Sequence, residues 1–344
     1  MSQFSLEKLR VVKHIVTHRD CADGTSSAMI LRDAFRGQGV KLTFIQYNTP
    51  EQRALVAEPG MLFCDFSPSR ERVQEFVDVG TLVLDHHKFA KDVVDAFGEN
   101  GVFADEVSDP GVCGAMLAYQ HVWKPLNEAR SRGPMSEADP LTDDIIRDLA
   151  TLAGIRDTWQ KSDRRWLAAC EQAEALRFWP LEKLLDQDPH TWPGLIQPIG
   201  SVIFAKNLQR AQELVETSYR FVSSRGTKVL IFGGTSMSSD AAEAAGDTVD
   251  LVVGFSYKTD EGKPIVIFST RSHADFNCGA FCKAHGGGGH TKAAGFSVPL
   301  DLGRSLRRVS GPDPNPFQHF LEILEAYEGT LPPPEPKTVW ERLP

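Results

Sequence analysis

The stretch Thr81-Leu-Val-Leu-Asp-His-His87 decides how the chain folds. Its apolar, β-branched run reads as a buried strand, and it ends abruptly on one carboxylate and two imidazoles at the strand's carboxyl end. Open α/β sheets place their chemistry at that end. Adjacent histidines also occur on ordinary surface turns, but three other segments repeat the arrangement. His14-Ile-Val-Thr-His18 runs into Arg19-Asp20-Cys21-Ala22-Asp23-Gly24, Met61-Leu-Phe-Cys-Asp65 ends in an acid, and the apolar stretch Leu149 to Ile155 closes on Arg156-Asp157. Such a set of strand ends is what a sheet needs to gather oxygen and imidazole ligands at one metal site.

Outward from this stretch, the first ~185 residues alternate strand-like and helix-like segments, the pattern of a mainly parallel sheet flanked by helices. Val11 to Thr17, Lys41 to Tyr47, Met61 to Phe66 and Thr81 to Leu84 read as strands. A helix is expected over 25–35, which puts Asp20 and Asp23 in the loop before it. Ser67-Pro68-Ser69 reads as a serine-capped helix start, and Asp109-Pro-Gly-Val-Cys-Gly114 opens another helix. Residues 127–140, polar and containing Gly133-Pro134, read as a surface loop. Trp159, Trp166, Trp179 and Trp192 are expected to pack.

Ala205 to Phe221 has helical spacing and would link two domains. Beyond it, Lys228 to Phe232, Val249 to Phe255 and Pro264 to Arg271 are strand-like runs of a smaller α/β domain. The expected fold is therefore α/β, divided into 1–198, a linker helix over 199–224, a second domain over 225–330 and a Pro-rich tail over 331–344.

With 344 residues, 41% of them hydrophobic, the chain is long enough for two cores. No apolar run approaches the ~20 residues that span a bilayer, and the N-terminus lacks a secretory layout, so a cytoplasmic protein with no membrane partner is expected. Its six cysteines include no C-x-x-C pair and read as reduced, mostly buried thiols. The net charge of −9 works against tight, non-specific binding of long nucleic acid, which depends on neutralising many phosphates. Small or short anionic substrates remain open, because a metal site supplies positive charge locally.

The chemistry-bearing residues are His18, Asp20, Asp23, Asp65, Asp85, His86, His87 and Asp157. They suit two divalent ions about 4 Å apart that clamp a phosphate ester for in-line attack. Mixed imidazole and carboxylate ligation favours Mn²⁺, with Co²⁺, Fe²⁺ or Mg²⁺ as other candidates. His14, within a strand, reads as a packed core residue. Four glycines, Gly286, Gly287, Gly288 and Gly289, followed by His290, read as a phosphate cradle whose backbone N–H groups can turn toward an anion.

These segments resemble the DHH phosphoesterases, named for the triplet that is here Asp85-His86-His87. His18-Arg-Asp-Cys-Ala-Asp-Gly24 looks like the family's first motif, Cys64-Asp65-Phe-Ser-Pro68 its second and Ile155-Arg-Asp157-Thr-Trp159 its fourth. Gly286 to Gly295 resembles the signature of the DHH-associated C-terminal domain, found in oligoribonucleases, RecJ-type exonucleases and cyclic-dinucleotide phosphodiesterases. The resemblance implies that Asp65 bridges two metals, that His18 and Asp20 serve one ion, and that Asp23, His86 and Asp157 serve the other. It implies that Asp85 supports the imidazoles, that His87 faces the scissile phosphate, and that Arg271 and the glycine run hold the remote end of the substrate. The first motif departs from many members, with H-x-D-x-x-D in place of H-x-D-x-D or H-x-x-x-D-x-D, and the departure bears on Asp20.

The activity so implied is metal-dependent hydrolysis of short oligonucleotides or small nucleotides to mononucleotides, with a hydroxide held by the two metals as nucleophile. A cyclic-dinucleotide phosphodiesterase or a single-strand exonuclease of the same family is the near alternative. From another class comes a non-catalytic nucleotide-binding regulator on the same scaffold. A homodimer is one possible assembly.

Overall fold

The computed structural model describes residues 4–331 apart from 48, 106–108, 132–139, 180, 186, 261, 273–274, 290 and 300–315. Contacts divide the chain into two units, Met1–Ala205 and Lys206–Pro344, and the division falls inside the long helix Trp192–Thr217.

The first unit is built on a parallel sheet of β1 (His14–His18), β2 (Lys41–Ile45), β3 (Met61–Cys64), β4 (Leu82–Asp85) and β5 (Gly101–Phe103), in the order β2-β1-β3-β4-β5. Both faces are covered. Ile15, Leu62, Leu82, Leu84 and Val102 enter one core, while Val16, Met61, Phe63 and Val83 enter another with Phe66 and Phe76. That two-sided burial is why these strands read as continuous apolar runs rather than alternating ones. The order reverses between β1 and β3, and such a switch point leaves a crevice at the carboxyl ends of the strands.

The second unit carries a mixed six-stranded sheet, β10-β11-β9-β8-β7-β6. Its strands are β6 (Tyr219–Val222), β7 (Lys228–Gly233), β8 (Leu251–Asp260), β9 (Lys263–Arg271), β10 (Gly288–Gly289) and β11 (Ala293–Pro299). Phe268, Phe281, Phe296, Phe320 and Leu324 form its main core, the last two from the helix Pro316–Thr330.

Several expectations are corrected. Leu149 to Ile155 is the end of a helix, Pro140–Asp157, not a strand. Ile146, Leu149, Ala150 and Ala153 are buried at helical spacing, and the segment is too poor in β-branched residues to prefer a sheet. Asp23 lies in the first turn of the helix Ala22–Ala34 rather than in the preceding loop, where its negative charge suits the helix dipole. The expected loop at 127–140 is helical as far as Ser131, and residues 132–139 lie outside the described residues.

The helix expected over 205–221 stops at Thr217, and Tyr219–Val222 is an edge strand. The helix after Asp109 begins at Gly114. Ser69 makes no capping hydrogen bond, and the hydroxyl of Ser67 goes elsewhere, as described below. Of the four tryptophans, Trp192 is in the core but Trp159 is 42% exposed. Past Leu331, the Pro-rich tail lies outside the described residues. No helix among the described residues is long and apolar enough to cross a membrane.

Candidate metal centre

The carboxyl ends of β1, β3 and β4 converge at the switch point. Two groups of side chains there have ligand atoms within 4.8 Å of one another: His18, Asp65 and His87 in one, Asp23, His86 and Asp157 in the other. Asp65 addresses both. Its Oδ2 lies 3.7 Å from His18 Nδ1, while its Oδ1 lies 3.1 Å from His86 Nε2. Its backbone adopts a left-handed φ of 56°, uncommon outside glycine, although aspartate is among the residues that take it most readily.

Backbone segments approach one another closely here. A Cβ on Gly114 would sit 2.3 Å from the Cβ of Asp65, and one on Gly24 would sit 2.2 Å from the carbonyl oxygen of His18. Both glycines let a helix start press against a strand end. Gly114 and Ala115 also donate their backbone N–H groups to the two carboxylate oxygens of Asp23, at 2.6 and 2.8 Å. Asp23 therefore accepts from the positive end of one helix while lying in the first turn of another.

The imidazoles are held by partners behind them. Gln46 Oε1 lies 2.7 Å from His18 Nε2, so that nitrogen donates and Nδ1 is left as the basic one. Asp85 is fully buried. Its Oδ1 accepts from the backbone N–H of His86 and His87 and from His87 Nδ1, and its Oδ2 from Ser67 Oγ at 2.5 Å and Tyr47 Oη at 3.3 Å. Burial works against its ionisation, yet the hydrogen bonds from His87 and Ser67 hold its carboxyl below the usual range. With Nδ1 of His87 committed to Asp85, Nε2 is the nitrogen left to act.

The side chains present fit divalent cations. His18 Nδ1 and Asp65 Oδ2 face each other, both buried and neither with a hydrogen-bond partner, and such a pair is costly unless something bridges it. His86 Nε2 is ringed by Asp65, Asp23 at 3.5 Å and Asp157 at 3.6 Å. Burial and the charges of Asp65 and Asp157 push the Asp23 carboxyl well up. Burial depresses the His86 imidazolium, but the hydrogen bond and charge of Asp65, with Asp23 and Asp157, more than reverse this and carry it to about 10. Three carboxylates and three histidines make a donor set of the borderline class that takes Mn²⁺, Co²⁺ or Fe²⁺.

A pH dependence follows. Burial lowers His18 and His87 as well, yet contacts with Asp65 and Asp85 leave both above the ordinary 6.5. In the metal-free protein the stability these imidazoles contribute is complete below about pH 6.5 and is lost as pH rises through their raised values; the raised Asp23 loses its share in the same direction. Asp65 and Asp85, held low, lose theirs only as pH falls through the acid range. A divalent ion replaces those protons, so the rise in Tm on adding Mn²⁺ is expected to be larger at about pH 8.5 than at about pH 6. A larger rise at the lower pH would contradict the arrangement.

Asp20 lies outside both groups, exposed, with a left-handed φ of 58°. His87 stands with His18 and Asp65 instead. His14 is buried between Glu58 (2.6 Å) and Thr43 (2.8 Å), away from the cluster. In the second unit, Arg271 ends β9, and its guanidinium bonds Ser239 Oγ, Ser269 Oγ and the Thr270 carbonyl. Register puts Arg271 opposite Ala293, and Gly288 and Gly289 opposite Gly295 and Ala294, so the arginine and the glycine run occupy one corner of that sheet. His290 lies outside the described residues.

Sequence reasoning passed over Gln46, Tyr47, Ser67 and Gly114 as site residues. Ser67 and Gly114 stood inside quoted segments, but their roles depend on contacts 18 and 91 residues away.

The DHHA1 domain family model matches residues 234–327. Among solved structures, exonuclease RecJ bound to manganese is similar over 95% of this chain and 93% of its own, with a TM-score of 0.55 and 20% identity. A DHH domain from a member of a family of ribosomal proteins has a TM-score of 0.56 at 14% identity, covering 94% of this chain and 87% of its own. RecJ from Thermus thermophilus in complex with Mg²⁺ has a TM-score of 0.52 at 20% identity and covers 95% of this chain, which spans 51% of it. At these identities the likeness is one of fold. No curated protein matches by sequence.

Proposed function

We propose that this chain, which belongs to the DHH superfamily and carries a DHHA1 domain toward its C-terminal end, is a metal-dependent phosphodiesterase that hydrolyses short oligonucleotides or small nucleotides to mononucleotides. The observation that carries this reading is the pair of ligand groups sharing Asp65. On this reading His18 and His87 would hold one ion, Asp23, His86 and Asp157 would hold the other, and Asp65 would serve both. Six ligands are reached without Asp20. Two bound divalent ions supply charge stabilisation for the phosphoryl oxygens and acidify a water at neutral pH.

The chain's own residues do the positioning. Asp85 orients His87 and fixes its proton on Nδ1, so Nε2 stays basic. Gln46 does the same for His18 through the opposite nitrogen. His87 and Ser67 keep Asp85 ionised in its buried setting, and the hydrogen bonds from Ser67 and Tyr47 hold its other oxygen in place. Asp157, with a side chain 32% exposed, is the most open to solvent of the six.

Arg271 and the glycine run are proposed to take a substrate phosphate remote from the cleaved bond. Among the described residues the guanidinium is hydrogen-bonded to neutral oxygens, and burial works against its charge while Asp240 is among the groups that favour it, so an anion at this corner would be a favourable partner. Arg271→Ala should raise KM for a dinucleotide roughly ten- to a hundredfold, the value of one charge-assisted phosphate contact, while sparing hydrolysis of bis-p-nitrophenyl phosphate. Equal loss on both would place Arg271 in the folding of its sheet. The function itself is tested by incubating the protein with Mn²⁺ and a panel of dinucleotides, cyclic dinucleotides, longer single strands and 3′-phosphoadenosine 5′-phosphate. Hydrolysis of none of them would refute it.

A further inference from the structure

Two residues beyond Asp157, the helix Pro140–Asp157 ends in an unusual way. The Gln160 N–H bonds the Ile155 carbonyl at 3.0 Å, the six-to-one bond of a Schellman turn. The residue that such a turn requires in the left-handed region is here Trp159, with φ 54°. Glycine normally takes that place, and a bulky side chain there is an outlier. The turn is nonetheless tightly tied: Thr158 bonds the Gly154 carbonyl through backbone and hydroxyl, Gln160 Nε2 bonds Thr158 Oγ1, and Lys161 N–H bonds the Trp159 carbonyl. A strained position kept by so many bonds leaves the indole 42% exposed, with its ring 5.7 Å from that of Trp166, two residues past a candidate metal ligand.

The surroundings of the indole are cationic. The Arg156 guanidinium lies 4.6 Å from the Trp159 ring and 5.4 Å from that of Trp166, and the Lys161 ammonium lies 5.1 Å from Trp159. Arg156 Nε is buried with no hydrogen-bond partner. Arg164 is exposed next to them, whereas Arg165 is engaged by Asp163. Between Arg156 and Trp166 the chain thus sets four basic residues and two indoles against two acids, in a protein of net charge −9. Positive charge interleaved with an exposed aromatic ring is the composition that grips single-stranded nucleic acid, bases by stacking and phosphates by charge.

We infer that Trp159, with Lys161 and Arg164, forms a stacking subsite for a base of a single-stranded substrate next to the metal centre. This inference rests on the phosphodiesterase reading for its substrate class, but not for its test. Trp159 is a positioning residue: it holds a base so that the neighbouring phosphate meets Asp157 and its companions.

The test compares Trp159→Ala, Trp159→Phe and Trp159→Gly with the unaltered protein. Binding of a trinucleotide, and of an abasic strand of the same length, is followed by tryptophan fluorescence and by competition in EDTA. Steady-state hydrolysis is followed with Mn²⁺. Trp159→Ala should weaken trinucleotide binding and raise KM roughly five- to a hundredfold, the range for one stacked base, with kcat and abasic-strand binding little changed. Trp159→Phe should recover most of the loss. Trp159→Gly should bind as poorly as Trp159→Ala yet unfold no earlier than it, because glycine suits the left-handed turn. Lys161→Ala and Arg164→Ala should weaken both strands alike and flatten the salt dependence. Equal binding of base-bearing and abasic strands by the unaltered protein, or an unchanged trinucleotide affinity in Trp159→Ala, would overturn the subsite. Absence of hydrolysis of every phosphodiester would instead count against the catalytic reading, and the fluorescence titration would still decide the subsite.

Discussion

Asp65→Ala is expected to abolish turnover and to strip the chain of most of its bound divalent metal. One carboxylate lies 3.1 Å from His86 and 3.7 Å from His18, so the change removes an oxygen from both ligand groups at once. Losing a supporting partner behind a ligand costs roughly 10–100-fold in metal affinity or activity, and losing a shared ligand should exceed that. Because the change also takes a buried partner from His18 and His86, Tm is measured alongside, and Asp65→Asn, which keeps the shape of the side chain, separates loss of metal from loss of fold. Asp20→Asn provides the contrast. Exposed and outside both groups, it should leave metal content within about twofold, whereas Asp23→Asn should not. Elemental analysis with turnover of a dinucleotide decides the matter, and two ions retained by Asp65→Ala with near-normal activity would refute the shared-ligand assignment.

Gly114→Ala is expected to disturb the same centre without replacing any of its candidate ligands. The added methyl would stand 2.3 Å from Asp65 Cβ and 2.9 Å from its Cα, so either the helix start or the strand end must move. The same backbone donates to both oxygens of Asp23, so the shift would disturb both ligand groups. Overpacking of this kind costs about 1–3 kcal/mol, which for a unit of this size corresponds to a fall in Tm of roughly 2–12 °C. Metal occupancy should fall with it. Thermal unfolding and metal analysis on the same sample check both, and an unchanged Tm with full metal content would mean that the contact relaxes freely.

How much of this could be read from the chain depends on the range of the interactions. The strand ends were legible because an apolar run stopped by Asp or His is a local signal, and all three of β1, β3 and β4 deliver their polar residues where expected. The fourth segment misled. An apolar run of seven residues serves a strand or a helix face equally well, and the helix won through partners at Ile146 and Leu149 packed into the main core. Trp159 misled in the opposite sense, since nothing local reveals that a tryptophan stands in a glycine's conformation.

By itself the sequence determined the α/β architecture, the parallel sheet of the first unit and the set of acids and histidines offered at its carboxyl edge, because periodicity and strand termination are encoded by neighbours. Only the tertiary structure decided the grouping. It joined His87 to His18 and Asp65, left Asp20 outside, closed Asp85 under Ser67 and Tyr47, and pressed Gly114 against Asp65. Those outcomes depend on distances of a few ångströms between segments tens of residues apart, which are set by how helices seat on the sheet and not by any local run of residues.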